Sequence, residues 1–87
     1  MQLEWDEDKR IKTLRDRKID FALAEAVFES EVFMFEQRRG EYDEPRYVSF
    51  GFLDGKPVAI MYTYRDDRVR IISARHASKY EQKTYYT

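Results

Sequence analysis

The sequence predicts a small α+β domain, an antiparallel sheet with helices packed on it, in the order β-α-α-β-β-β-β-α. Three observations carry this. Capping residues and helical spacing dominate the first 30 residues. The apolar period changes to two from Arg46 onward. Asp54-Gly55 then marks a tight hairpin, because a type I′ turn needs positive φ at both central residues.

Leu3 to Trp5 reads as a short strand. Asp6 is an N-cap, a short oxygen acceptor before a run of helix formers, and the helix after it spans about Glu7 to Arg17. Ile11 and Leu14 are its expected inner face, and Asp8 pairs with Lys12 at i,i+4. Asp20 caps a second helix, Phe21 to Glu29, whose core stripe is Phe21, Ala24, Val27 and Phe28. Val32 to Phe35 is rich in strand formers and reads as core strand or partner interface; the aromatic tail of Tyr80, Tyr85 and Tyr86 reads as partner interface or frayed terminus. Gln37 to Pro45 is a charged loop containing Gly40.

In the strand from Arg46, Val48, Phe50 and Phe52 share one face and Tyr47, Ser49, Gly51 and Leu53 the other. The return strand sets Val58, Ile60, Tyr62 and Tyr64 against Ala59, Met61 and Thr63. Asp66-Asp67 turns the chain again, and Val69 and Ile71 alternate with Arg68 and Arg70. From about Ala74 the pattern reads as helical, with Ala77, Tyr80 and Thr84 in one row. This puts Arg75 and Lys79 one turn apart on that helix and extends a basic stripe from Arg68 and Arg70.

Composition narrows the chemistry. The 87 residues contain no Cys and one His. Disulfides, thiolate nucleophiles and multi-His metal sites are therefore excluded. No cofactor or metal is expected. The longest apolar stretches are far short of the roughly 20 residues that a membrane span needs. Met1-Gln2-Leu3 followed by acidic residues does not have the form of a secretory signal, so one cytoplasmic domain over residues 1–87 is the expectation. Net charge is −1. Residues 1–45 carry 13 acidic and 8 basic side chains, residues 46–87 only 4 acidic and 8 basic. The basic half suits a phosphate backbone, or a partner, or the acidic half itself.

RNA strand cleavage fits this inventory. It needs a base for the 2′-hydroxyl, cations for the phosphate and an acid for the leaving oxygen. Candidate phosphate clamps are Arg39, Arg46, Arg70 and Arg75; candidate bases are Glu36 and Glu44; Tyr42, Tyr62 and Tyr64 are suited to stacking or proton donation. Each has a structural alternative: ion pairing for the arginines and glutamates, core packing for Tyr62 and Tyr64, a surface position for His76.

Taken together the segments resemble the BrnT family of type II toxin–antitoxin toxins. The resemblance runs through Glu4-Trp5-Asp6 and Lys9, then Asp20-Phe21 with Ala24, Val27 and Phe28. It continues through Phe35-Glu36 with Arg38, Arg39, Tyr42, Glu44, Arg46 and Gly51. It ends in Arg70-Ile71-Ile72-Ser73-Ala74-Arg75 with Ala77, Lys79 and Glu81. It implies a RelE-like ribonuclease that arrests growth by cutting RNA without a metal. A BrnA-type antitoxin neutralises it, and the complex represses its own operon, so operator DNA is reached through the antitoxin. The implied site comprises Arg75, Arg46, Arg39, Glu36, Glu44 and Tyr42, with Lys9, Arg70, Lys79 and His76 contacting RNA. The chain departs from the family pattern at Thr13, where Asn is usual, at Arg17-Lys18, where a His-Gly pair is usual, at Asp43, where Gly is common, and at His76, where Lys or Arg is common. A Lys in an αL cap costs on the order of 1 kcal/mol relative to Gly. Arg17 is too basic to shuttle protons near neutral pH. The alternative is therefore a catalytically degenerate, antitoxin-binding module; an RNA-binding protein without cleavage is a third reading.

Overall fold

A computed structural model describes residues 1–37 and 44–87. Strand β1 (Gln2–Trp5) leads into α1 (Glu7–Arg17). The Asp6 carboxylate accepts from the Asp8 and Lys9 amides at 2.9 and 3.2 Å. Acidic Glu7 and Asp8 in the first turn and basic Arg15 and Arg17 in the last complement the helix dipole. The helix ends at Lys18, whose backbone is left-handed at φ 60° and whose amide donates to Leu14 O.

The inner face of α1 is not the expected one. Ile11 and Leu14 are 50% and 37% exposed. The helix turns its polar side, including Lys9, Thr13, Asp16 and Arg17, toward the sheet. Polar ties hold it there. Arg17 Nη1 donates to Ala74 O at 2.8 Å, and His76 Nε2 lies 2.8 Å from Arg17 O. Arg10 bridges Glu7 and Asp20.

Asp20 caps the next segment, accepting from the Ala22 amide at 2.9 Å. The expected single helix divides into a 3₁₀ turn, Phe21–Leu23, and α2 (Ala24–Glu29). Strands β2 (Phe33–Gln37), β3 (Arg46–Leu53), β4 (Lys56–Arg65) and β5 (Arg68–His76) follow, then α3 (Lys79–Tyr85). The β3–β4 turn has Asp54 at φ 51° and Gly55 at φ 76°, the positive values a type I′ turn requires.

The five strands lie in the order β1-β5-β4-β3-β2. Three pairings are antiparallel; β1 runs parallel to β5, with Gln2 opposite Arg68 and Trp5 opposite Ile71. The sheet is thus mixed, because β1 reaches β5 through the intervening chain and not through a hairpin. β5 also continues through Ala74–His76, where a helix was expected. A register shift at Met61/Tyr62 keeps Ala59 opposite Arg75 and Val58 opposite His76. The last helix begins only after Ser78, whose side chain accepts from the Glu81 amide while Glu81 accepts from the Ser78 amide.

The sheet is covered on both faces. On one, Ile19, Phe21, Ala24 and Val27 pack on Val58, Ile60, Tyr62, Val69, Ile71 and Ala74. On the other, Val48, Phe50, Ala59 and Ala77 meet Tyr85 and Tyr86. The helices expected on one face are divided between the two. Gly51 lets α2 approach β3: a Cβ there would lie 2.2 Å from Val27 O. Arg75 ties α3 to the sheet by donating from both Nη atoms to Glu81, at 2.7 and 2.8 Å.

Three stability measurements follow from these contacts. Gly51→Ala must push α2 off β3, so chemical denaturation should show a loss of about 3 kcal/mol. Lys18→Gly keeps the left-handed cap without the Cβ penalty and should gain about 1 kcal/mol, raising Tm by roughly 4–8 °C. The Arg75 guanidinium, joined by the Ser78 amide, lowers the Glu81 carboxyl from 4.5 to about 2. A lowered folded-state value contributes stability that is full above the unfolded pKa and disappears as pH falls through the folded one. Between pH 4.5 and about 2, wild-type Tm should therefore fall more steeply than that of Glu81→Gln.

Candidate nucleic-acid interface

The α3-side face of the sheet is open beyond Ala59 and Met61. There the alternation of β4 and β5 sets Thr63 opposite Arg70 and Arg65 opposite Arg68. Parallel pairing brings Glu4 beside Arg70, and Arg46 opens β3. Asp6, Lys9, Glu44, Arg46, Arg65 and Arg70 line a hollow of about 190 Å³ floored by Ile71 and Ile72. A second hollow, of about 270 Å³, runs between α1 and β5 past Lys9, Lys12, Thr13, Asp16, Arg17, Ile72 and Ser73. Lys9 and Ile72 border both, so the two form one trough.

Six basic and three acidic side chains line this trough, a local excess of +3 on a chain of net charge −1. The acids hold the arginines loosely. Glu44 meets Arg65 at 3.2 Å and Glu4 is shared by Arg68 at 3.4 Å and Arg70 at 3.6 Å. The bond from Glu44 raises the Arg65 guanidinium above its ordinary value. Surface pairs of this kind are worth about 0–1 kcal/mol, so a phosphate group that offers more charge can displace the carboxylates.

The sequence candidates divide. Lys9, Glu44, Arg46 and Arg70 come together in the trough. Arg75 lies on the same sheet face, five residues beyond Arg70, about 15 Å at strand rise. It sits on a strand and not on the last helix, so it forms no helical pair with Lys79, the first residue of α3. Its guanidinium is engaged by Glu81, which raises its pKa. His76 pairs with Val58, on the opposite face from Arg75. Its Nε2 points at the Arg17 carbonyl, which only accepts, so that nitrogen carries a proton. Glu36 is opposite Tyr47, on the α2 face and away from the trough. Tyr62 is buried and bonded to Ser49 Oγ at 2.8 Å, and burial raises its phenol pKa. Tyr64 is exposed and packs against Tyr47 and Tyr62. Arg39 and Tyr42 lie outside the described residues.

Two lining cations, Arg65 and Lys12, escaped the sequence reading, and a third, Arg17, was noted there only for its place in the family pattern. Arg65 extends the face of Met61 and Thr63 and opposes Arg68 across the Asp66-Asp67 turn, a register readable from the hairpin. Lys12 and Arg17 share a helix face with Lys9 at i,i+3 and i,i+8 spacing, a stripe that looks like solvated surface until the helix is docked. Among the described residues no three His, Asp or Glu side chains cluster to hold a metal ion, and no helix is long and apolar enough to cross a membrane.

No curated protein matches the sequence. A family model described as the ribonuclease toxin BrnT of type II toxin–antitoxin systems matches residues 5–81. The match takes in α1, the whole sheet apart from the first residues of β1, and the start of α3, including every described residue of the trough. The chain therefore belongs to the BrnT family of ribonuclease toxins.

Proposed function

We propose that the chain is a metal-independent endoribonuclease that arrests growth in the cytoplasm and binds RNA along the trough between α1 and β5. The observation that supports this most is the gathering of Lys9, Arg46, Arg65 and Arg70 with the carboxylates of Asp6 and Glu44 in one hollow of an acidic molecule. RNA carries its own nucleophile. Glu44 takes the proton of the 2′-hydroxyl, whose oxygen attacks the adjacent phosphorus. Arg46 and Arg70 hold the non-bridging oxygens as charge grows on them. The Lys9 ammonium gives a proton to the departing 5′-oxygen, leaving a 2′,3′-cyclic phosphate. Lys12 and Arg17 hold the neighbouring phosphate in the second hollow. Arg75 acts through Glu81 as a positioning residue for α3. Neutralisation is by a BrnA-type antitoxin, and the pair represses its operon with the antitoxin on the operator DNA.

A second reading, a degenerate toxin that binds antitoxin without cutting RNA, is favoured by one feature. The family's usual His-Gly pair is Arg17-Lys18 here, and the single imidazole, His76, gives its Nε2 to the Arg17 carbonyl and not to the trough.

Induced expression of the chain alone in bacteria, with growth and total RNA followed together, separates the two. Arrest with RNA breakdown is expected. Arg46→Ala and Arg70→Ala, folded by circular dichroism, should each lower cleavage by about 100-fold, the usual effect of removing one donor from a developing oxyanion. Normal growth and intact RNA from soluble, folded wild-type protein would remove the endoribonuclease reading in favour of the second.

A further inference from the structure

Strand β2 ends the sheet on the side opposite β1, and among the described residues only β3 pairs with it. Its residues are not core. Val32, Phe33, Met34 and Phe35 are between 37% and 45% exposed. Phe50 O faces β2, where it accepts from the Val32 amide at 2.8 Å, so Phe33 and Phe35, opposite Phe50 and Val48, turn their amides to β3, and Met34 and Glu36 turn theirs to the open edge. An exposed apolar edge of this kind is a template for another strand.

The surroundings specify what such a strand carries. Residues 19–37 contain five acids, Asp20, Glu25, Glu29, Glu31 and Glu36, and no Lys or Arg. On the α2 side of the edge, Phe28, Glu31, Met34, Tyr62 and Tyr64 line a hollow of about 230 Å³, an aromatic and acidic pocket suited to a cationic side chain. On the α3 side, Phe33 stacks on Tyr85 with centroids 4.4 Å apart and Phe35 lies beside Phe50, an apolar shelf.

We propose that the open edge of β2 is the docking strand for an extended segment of the antitoxin in which Lys or Arg residues alternate with apolar ones. The identity of the partner rests on the toxin–antitoxin reading above; the surface and the chemistry of the segment do not. Backbone bonds to the Met34 and Glu36 amides give the affinity. The alternating side chains give the choice of partner, cations toward Glu31 and the tyrosines, apolar groups toward Phe33 and Phe35. RNA is repelled by this acidic end. A second copy of the chain would bring its own Glu31 and Glu36 against these, so the edge is unsuited to self-pairing.

The test is calorimetric titration of the full chain with purified BrnA-type antitoxin. Glu31→Lys reverses the charge of the pocket. Met34→Pro removes an outward amide without touching the β3 ladder. Each should weaken binding by about tenfold or more, whereas Ile11→Lys on the far side of α1 should leave it unchanged. Hydrogen exchange at Met34 and Glu36 should slow in the complex. RNA cleavage is assayed separately on the same proteins, so a chain that binds but does not cut fails the ribonuclease reading alone. Wild-type affinity in both folded variants, unprotected Met34 and Glu36 amides in the complex, or no binding by the wild-type chain would each overturn the docking site.

Discussion

Strand β5 is the constraint on which the other layers depend. It pairs with β4 on one side and β1 on the other, and both surface helices that flank it are fixed to its last residues. The Ala74 carbonyl receives Arg17 from α1 and the Arg75 side chain reaches Glu81 in α3. The register shift opposite Met61/Tyr62 makes this compatible. It adds a residue to β5, so that Ile71 and Ala74 both turn into the α2-side core while Arg70 and Arg75 share the other face. Such an irregularity bends the strand and re-aims its side chains. Ile72, at the shift, forms the floor common to both hollows of the trough.

The charge distribution has the same logic. A helix that buries its apolar stripe gains more than α1, which buries no residue and turns Lys9 and Arg17 to the sheet, so α1 is an inefficient element for stability. What it gains is a wall. With its polar side inward it closes the trough against β5, and with Ile11 and Leu14 outward it leaves apolar surface uncovered. At the β2 edge, residues 19–37 carry five acids and no Lys or Arg. A polyanion attracted by Lys9 and Arg70 beside β1 and β5 is repelled by Glu31 and Glu36, which keeps the two partners apart.

Much of this was legible in the sequence where local chemistry decides. Asp6, Asp20 and Asp54-Gly55 signal a cap or a turn whatever surrounds them, and each is where its side chain or φ requires. The alternation in residues 46–71 sorted three strands into two faces, because successive residues enter different layers on the two sides of the sheet. The parallel direction of β1, the exposure of Ile11 and Leu14, and the continuation of β5 to His76 were not legible. All three are set by pairing between residues far apart in the chain. For the site, Lys9, Glu44, Arg46 and Arg70 could be named from residue type, but their meeting depends on β1 lying beside β5. Arg75 was named as a phosphate clamp or an ion-paired side chain, and its partner six residues on becomes visible only once Ser78 starts a new helix.

The Arg17-Lys18 junction shows how far fold and chemistry are separable. Residue 18 must be left-handed here because the next residue, Ile19, is 1% exposed in the core while α1 has to stop against β5. That demand is on the backbone, and a lysine meets it at a modest cost. The side chain at residue 17 is under no such demand. Its main-chain carbonyl meets His76 and its guanidinium meets Ala74 O, contacts that hold the wall of the trough but move no proton. Substitution at this junction therefore leaves the trough intact as a phosphate-binding surface and changes only which groups can transfer protons. On the proposed reading, cleavage draws its acid and base from the trough's other residues, Lys9 and Glu44, and not from this junction.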